Sequence, residues 1–329
     1  MLLQIIKELS TARIQRTRVH LQSVSPELFQ VLGNIYVEKI SQWISILDQG
    51  VGNESSLESM EQSLMCLKVL RRLIISGYEH PGRHSEVKDF WQLSFEHFAR
   101  LSSSVEQAAA HLPEPVTKAI EKHTLQLSKL HVEMAKTHPA SFAMFPNSIS
   151  LVNLYWALVV RLSESYVSLG ADADAEAEGQ SLPEKTGLRA LLLVRACARM
   201  AFNPVQTFKY QTPQDKEERK QAVERIKKEL FTHDLVLNVM ETLVTQFFKF
   251  RNVDFQEWEA EPESWVQREE VSSEAWEFSI RSCSEKLFLD LVIHFKDLLI
   301  PRLLSVFHNF ASEYQSSAAC ALGEFETGF

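Results

Sequence analysis

The chain has 329 residues, 45% apolar and 23% charged, with a formal net charge of −9 and a pI near 5.7. That is enough apolar material for a substantial core and excludes a disordered chain. The acidic balance argues against nucleic-acid phosphates as the main partner and leaves basic protein segments open.

Taken in order, the chain reads as helix after helix. Leu2, Leu3, Ile5, Ile6 and Leu9 form an apolar face at once, without a capping residue, before Arg13, Arg16 and Arg18, which suggests that the natural start lies upstream. Pro26, after Ser25 as cap, is placed to open a helix through Phe29, Tyr36, Ile40 and Trp43 to Leu47, ended by Gly50 and Gly52. A second helix from about Ser55 buries Met60, Leu64, Leu67, Leu70, Leu73 and Ile74, and Gly77 with Pro81 and Gly82 stops it. Trp91, Phe95 and Phe98 mark the next. Helices over 116–136 and 149–169 follow, with Pro139 and Pro146 bracketing the connector between them.

The run at 171–179 is acidic and lacks any large apolar residue, so a flexible loop is expected at about 170–185. Helices are then expected over 187–200 and 230–250, with a mixed-charge stretch of seven bases and four acids over 209–228 leading into the second. Residues 254–277 carry nine acids against one base, yet Trp258, Trp265 and Trp276 are interleaved with them. Charge that dense with aromatic rings reads as an acidic ridge pinned to a folded surface. A helix from Ser284 buries Leu287, Phe288, Leu291, Val292 and Phe295, and 298–310 supplies its partner, kinked at Pro301. The tail 311–329 loses the periodicity and reads as weakly ordered.

No strand set is visible. Helices of roughly twenty residues, paired at intervals near forty, point to an all-α fold, a HEAT/armadillo-type α-solenoid of antiparallel helix pairs, with 1–310 as one segment. An irregular all-α domain is the alternative.

The segment 63–73 (SLMCLKVLRRL), after the Trp43 helix, resembles a helix of the karyopherin-β (importin-β) superfamily. The ridge 258–265 (WEAEPESW) is similar to that superfamily's acidic Asp-Pro-x-x-aromatic segment, with Glu261 in place of the aspartate. Residues 276–288 (WEFSIRSCSEKLF) are most similar to the importin-11-like branch. The resemblance covers most of 1 to about 310, as an internal third of such a receptor without its N-terminal Ran-binding repeats or C-terminal arch. It implies a nuclear transport receptor of cytoplasm, nucleus and nuclear pore that carries protein cargo, touches phenylalanine-glycine nucleoporins and answers to the GTPase Ran, with Ran binding weak or absent in this segment. A helical scaffold that assembles proteins without entering the pore is the alternative.

Two surfaces are candidate partner sites. Glu257, Glu259, Glu261, Glu263, Trp258 and Trp265 form either an acidic surface for basic cargo segments or a solvated loop held down by two buried tryptophans, and charge runs favour the second. Lys216, Arg219, Lys220, Arg225, Lys227 and Lys228 could meet an acidic partner such as Ran, but a solvated helix face is the commoner outcome of such a run.

Catalysis and cofactors find no motif. There is no GxSxG, no Gly-rich phosphate loop and no HExxH, so no catalytic, cofactor or metal residue is expected. His80 and His84 share a four-residue spacing, but Pro81 and Gly82 between them spoil the helix that would join their rings. His294 reads as a core histidine. Cys66, Cys197, Cys283 and Cys320 lie far apart, as in a reduced intracellular protein. The apolar start is cut short by Lys7 and Glu8, and the longest apolar run, 151–160, is half a bilayer span, so neither signal peptide nor membrane segment is expected.

Overall fold

Several helices carry a proline in the first turn, where its missing N–H costs nothing. Among them are α5 (Glu114–Thr137), α6 (Pro139–Met144), α8 (Leu182–Phe202), α9 (Pro204–Thr207) and α10 (Pro213–Arg225). Before them in the chain come α1 (Leu2–Thr11), α2 (Gln15–Asp48), α3 (Ser55–Gly77) and α4 (Ser85–Ala108), and α7 (Ser148–Ser165) precedes α8. After them come α11 (His233–Thr242), α12 (Asn252–Ala260), α13 (Pro262–Glu274) and α14 (Ile280–Glu326). This computed structural model describes residues 2–11, 15–48, 55–108, 112–166, 181–208 and 212–326, and no strand occurs among them. The fold class is the all-α, HEAT/armadillo type expected from the sequence.

Capping explains several boundaries. Ser181 Oγ accepts the Glu184 N–H while the Glu184 carboxylate accepts the Ser181 N–H at 2.8 Å, a reciprocal cap that starts α8 five residues before the expected 187. The end of the expected loop, 182–185, is therefore helical; its acidic part lies outside the described residues. Thr212 and Asp215 cap α10 in the same way.

Pro26 does not open a helix: it lies inside α2. The buried Ser25 hydroxyl donates to the Leu21 carbonyl at 2.6 Å, a local bond one residue before the proline. Gly77 packs against this point, and a Cβ there would lie 2.0 Å from Ser25 Oγ. Gly77→Ala should therefore lower stability by about 1–3 kcal/mol, with much of the loss recovered by adding Ser25→Gly. Urea midpoints of the single and double variants check this, and an unchanged Gly77→Ala midpoint contradicts it.

The chain divides into two compact units, one of residues 1–159 and 178–226, the other of 160–177 and 227–329. In the first, hydrogen bonds reveal the repeat. Trp43 near the end of α2 donates to Ser63 near the start of α3 at 3.0 Å, and Gly77 at the end of α3 meets Ser25, so the two are antiparallel. The next pair, α4 and α5, stacks on them in parallel: Tyr36 meets His97 at 3.0 Å, 61 residues on, and Ser63 meets His123 at 2.9 Å, 60 residues on. Further along α3 and α5, His138 Nε2 donates to the Ile75 carbonyl at 2.9 Å, 63 residues on. The step recurs from α5 to α8, where Arg189 donates to Ser128 at 2.6 Å, 61 residues on. The repeat thus advances by about sixty residues instead of the expected forty, because its helices are longer and further apart in the chain.

Large rings fill this stack. Trp43, Trp91, Tyr36, Tyr155, Phe98, Phe142 and Phe145 are fully buried, and Phe98 stacks on Tyr155 at 4.5 Å.

In the second unit α11 runs into a wider, π-type turn over Leu243–Phe247 and packs on α14. Val239, Leu243 and Phe247 are buried there, as are Cys283, Leu287, Leu291 and Leu299. The break in α14 falls at Phe295 (φ −124°, ψ 29°) and not at Pro301, which sits within the helix. The Phe295 ring lies 6.3 Å from that of Phe231. Beyond 310 the backbone stays helical to Glu326, where the sequence suggests weak order.

Candidate functional site

The acidic ridge is two short helices, α12 and α13, broken at Glu261 and Pro262. Of its nine acids Asp254 points inward, 5% exposed, and accepts the Arg251 N–H at 2.8 Å at the start of α12. Arg281 of α14 lies 3.8 Å from Asp254 and donates to Glu269 of α13 at 2.7 Å. Its guanidinium also sits 4.8 Å from the Phe250 ring centre, and that ring contacts Phe255 at 5.6 Å and Trp265 at 5.5 Å. One arginine therefore ties both helices to the unit's core. Its position within the 276–288 segment is visible in sequence, its partners are not.

The six candidate contact residues differ in exposure. Glu259, Glu261 and Glu263 are exposed, Glu257 and Trp265 are half-buried, and Trp258 is 51% exposed. The alternative of two buried tryptophans holds for neither ring in full: Trp265 is pinned and Trp258 is open. The carboxylates can meet a cationic segment directly, with the Trp258 ring available for stacking.

Arg219 and Lys220 lie on α10, and Lys227 and Lys228 on the π-type turn that directly follows it. Lys216, Lys220, Lys227 and Lys228 are exposed, whereas Arg225 donates to the Ala143 carbonyl at 2.9 Å and holds α10 to α6. On the same helix Asp215 and Glu218 grip Arg83 at 2.8 and 3.0 Å.

His80, Asp215 and Glu218 bring one ligand atom each to within 4.8 Å of one another, but Arg83 already bridges the two carboxylates. A metal ion there would have to displace a guanidinium. His84 turns away to Glu86 at 3.3 Å and to the Tyr78 ring at 4.7 Å, so the two histidines share no face. His294 is exposed, not in the core as expected. Cys66, Cys197 and Cys283 are buried, and burial raises the Cys66 and Cys197 thiols above their usual range. No described helix is long and apolar enough to cross a membrane.

A feature that the sequence did not disclose is an apolar groove of about 460 Å³ in the second unit, lined by Val244, Phe248, Phe288, Leu303, Phe307 and Phe310, with Lys249 at its side. Phe307 is 55% and Phe310 37% exposed, so both rings are reachable from outside. Such a groove takes an aromatic or aliphatic side chain from an extended segment.

No family model matches the chain. It is 28% identical over 314 residues to importin beta-like protein KAP120 of Saccharomyces cerevisiae, covering 95% of this chain and 29% of that protein. It is 27% identical over 258 residues to importin-11 of Homo sapiens, covering 78% and 24% respectively. Among solved structures it matches that of Lph2, a novel bidirectional nuclear transport receptor in S. cerevisiae, with a TM-score of 0.77 and 28% identity over 94% of this chain and 28% of the other. In sequence and in fold, the chain is similar along nearly all its length to importin β-like nuclear transport receptors, of which it spans less than a third.

Proposed function

We propose that the chain acts as a segment of a nucleocytoplasmic transport receptor, carrying protein cargo through the nuclear pore under Ran control and moving between cytoplasm and nucleus. The observation that carries this is the match over 94% of the chain to a solved nuclear transport receptor. It is read as a binding protein and not an enzyme, in keeping with relatives that are transport receptors.

Within this reading the ridge acids Glu259, Glu261 and Glu263 receive basic cargo segments, and the Phe307–Phe310 groove receives nucleoporin phenylalanines. Single weak grooves of this kind give rapid exchange, and repetition along a receptor gives avidity. Lys220, Lys227 and Lys228 are among the exposed cations that an acidic partner would meet; Ran contact is expected to be weak in this segment.

The test is retention on a column of phenylalanine-glycine repeats. The chain should be retarded, released by an aliphatic alcohol and little affected by salt, since the contact is apolar. Phe307→Ser, at an exposed position, should weaken retention roughly fivefold, as expected for losing a ring contact worth about 1 kcal/mol. Passage straight through the column would favour the scaffold reading.

A further inference from the structure

The parallel stack of the first unit brings α3, α5 and α8 side by side, and five cations gather on them: Lys68, Arg71 and Arg72 of α3, Lys129 of α5 and Arg189 of α8. Glu133 of α5 is the carboxylate among them, and it is bound by Arg71. Arg189 is held in place by bonds to the Leu125 carbonyl at 2.8 Å and to Ser128 at 2.6 Å, neither of which neutralises it. In a chain of net charge −9, this is a concentrated excess of the opposite sign.

The cations also repel one another. Lys129 is held below its usual range, first by burial and then by the charges of Arg189 and Arg71, with Lys68 adding to them and Glu133 opposing. Arg72 is lowered by burial and by Arg71. Donors are in surplus too: the buried Arg71 Nε lacks a hydrogen-bond partner, as does Gln126 Nε2, one turn before Lys129 on α5. Clustered cations that repel one another are stabilised by an incoming anion.

We propose that the α3–α5–α8 row binds an extended acidic segment of a partner protein through Lys68, Arg71, Arg72, Lys129 and Arg189. A protein segment fits better than a nucleic acid. The helices α3 and α5 contain no Phe, Tyr or Trp, and α8 has only Phe202 near its end, so the row offers no ring on which bases could stack. The chain's overall negative charge also opposes a polyphosphate. Packed helices lie about 8–10 Å apart and an extended chain advances about 3.3 Å per residue, so acids at every third position would meet successive helices. This surface is separate from the acidic ridge and the apolar groove, and it selects partners of opposite charge to those the ridge would take.

The experiment is fluorescence polarisation of the whole chain with a labelled peptide of about a dozen residues, glutamate at every third position and serine between, in about 50 mM salt. Binding should weaken roughly tenfold in Lys129→Glu and in Lys68→Glu, decline as salt is raised, and stay unchanged in Lys88→Glu, at an exposed position of α4 outside the row. Circular dichroism melts of the variants keep a folding defect distinguishable from lost binding. Absence of binding, equal weakening by Lys88→Glu, insensitivity to both patch variants in folded protein, or tighter binding of a single-stranded oligonucleotide would each overturn the proposal.

Discussion

Acidification from pH 7.5 to pH 4.5 is expected to remove about 5 kcal/mol of stability from the first unit, through His123 and His131 alone. Both imidazoles are fully buried, and burial holds His123 down at about 4 and His131 at about 3. His123 faces the Ala119 carbonyl at 2.9 Å and Ser63 at 2.9 Å, with the Trp43 ring 5.1 Å away. His131 lies between Ser94 at 3.2 Å and the Tyr155 hydroxyl at 2.9 Å, beside Trp91. In the unfolded chain each takes a proton near pH 6.5, while in the fold it stays neutral. The unfolded state therefore binds more protons below pH 6.5, so the contribution is complete above that pH and is lost as pH falls toward the folded values.

Each histidine costs about 1.4 kcal/mol per pH unit in that window, and a typical domain has only about 5–15 kcal/mol in all. His97, lowered to about 4 mainly by burial, adds to the slope. Urea unfolding followed by tryptophan fluorescence at pH 7.5, 6, 5 and 4.5 measures the effect, with Trp43 and Trp91 as local reporters. Midpoints that stay level down to pH 4.5 would contradict it.

Arg281→Ala is expected to cost about 1.5–3 kcal/mol and to loosen the acidic ridge, because it removes the charged bond to Glu269 and one of the two cations beside Asp254. Arg251 remains 3.3 Å from Asp254, but Arg281 is 12% and Asp254 7% exposed in their side chains, so solvent replaces little of the lost charge. Hydrogen exchange across 252–274 should rise strongly in Arg281→Ala. Arg281→Lys should not restore protection, since an ammonium cannot face Asp254 and Glu269 together while stacking on Phe250. Unchanged exchange in both variants would mean that the ring contacts of Phe250 alone hold the ridge.

Helix class was legible because apolar residues repeat at helical spacing almost throughout the chain, and burial of that stripe is a local consequence of periodicity. The start of α3 at Ser55 was legible, whereas the Ser181 and Thr212 caps open α8 and α10 inside the expected loop and the mixed-charge stretch. A helix start was misread at Ser25 and Pro26, where the cap-and-proline pattern occurs inside a longer helix that packs against Gly77. The sixty-residue register, the Arg281 clamp, the Phe307–Phe310 groove and the cation row on α3, α5 and α8 were not legible. Each joins residues distant in the chain, and periodicity within one helix carries no information about which helix lies beside it.

What the amino-acid order alone determined is the all-α class, the helix pairs, the acidic character of 254–277 and the resemblance to transport receptors, since these depend on composition and on spacings within a turn or two. Which ridge acids face solvent, where α14 breaks and which like charges collect on neighbouring helices were decided only by tertiary packing. Burial and electrostatic coupling are properties of the space between helices, and that space exists only once the chain has folded.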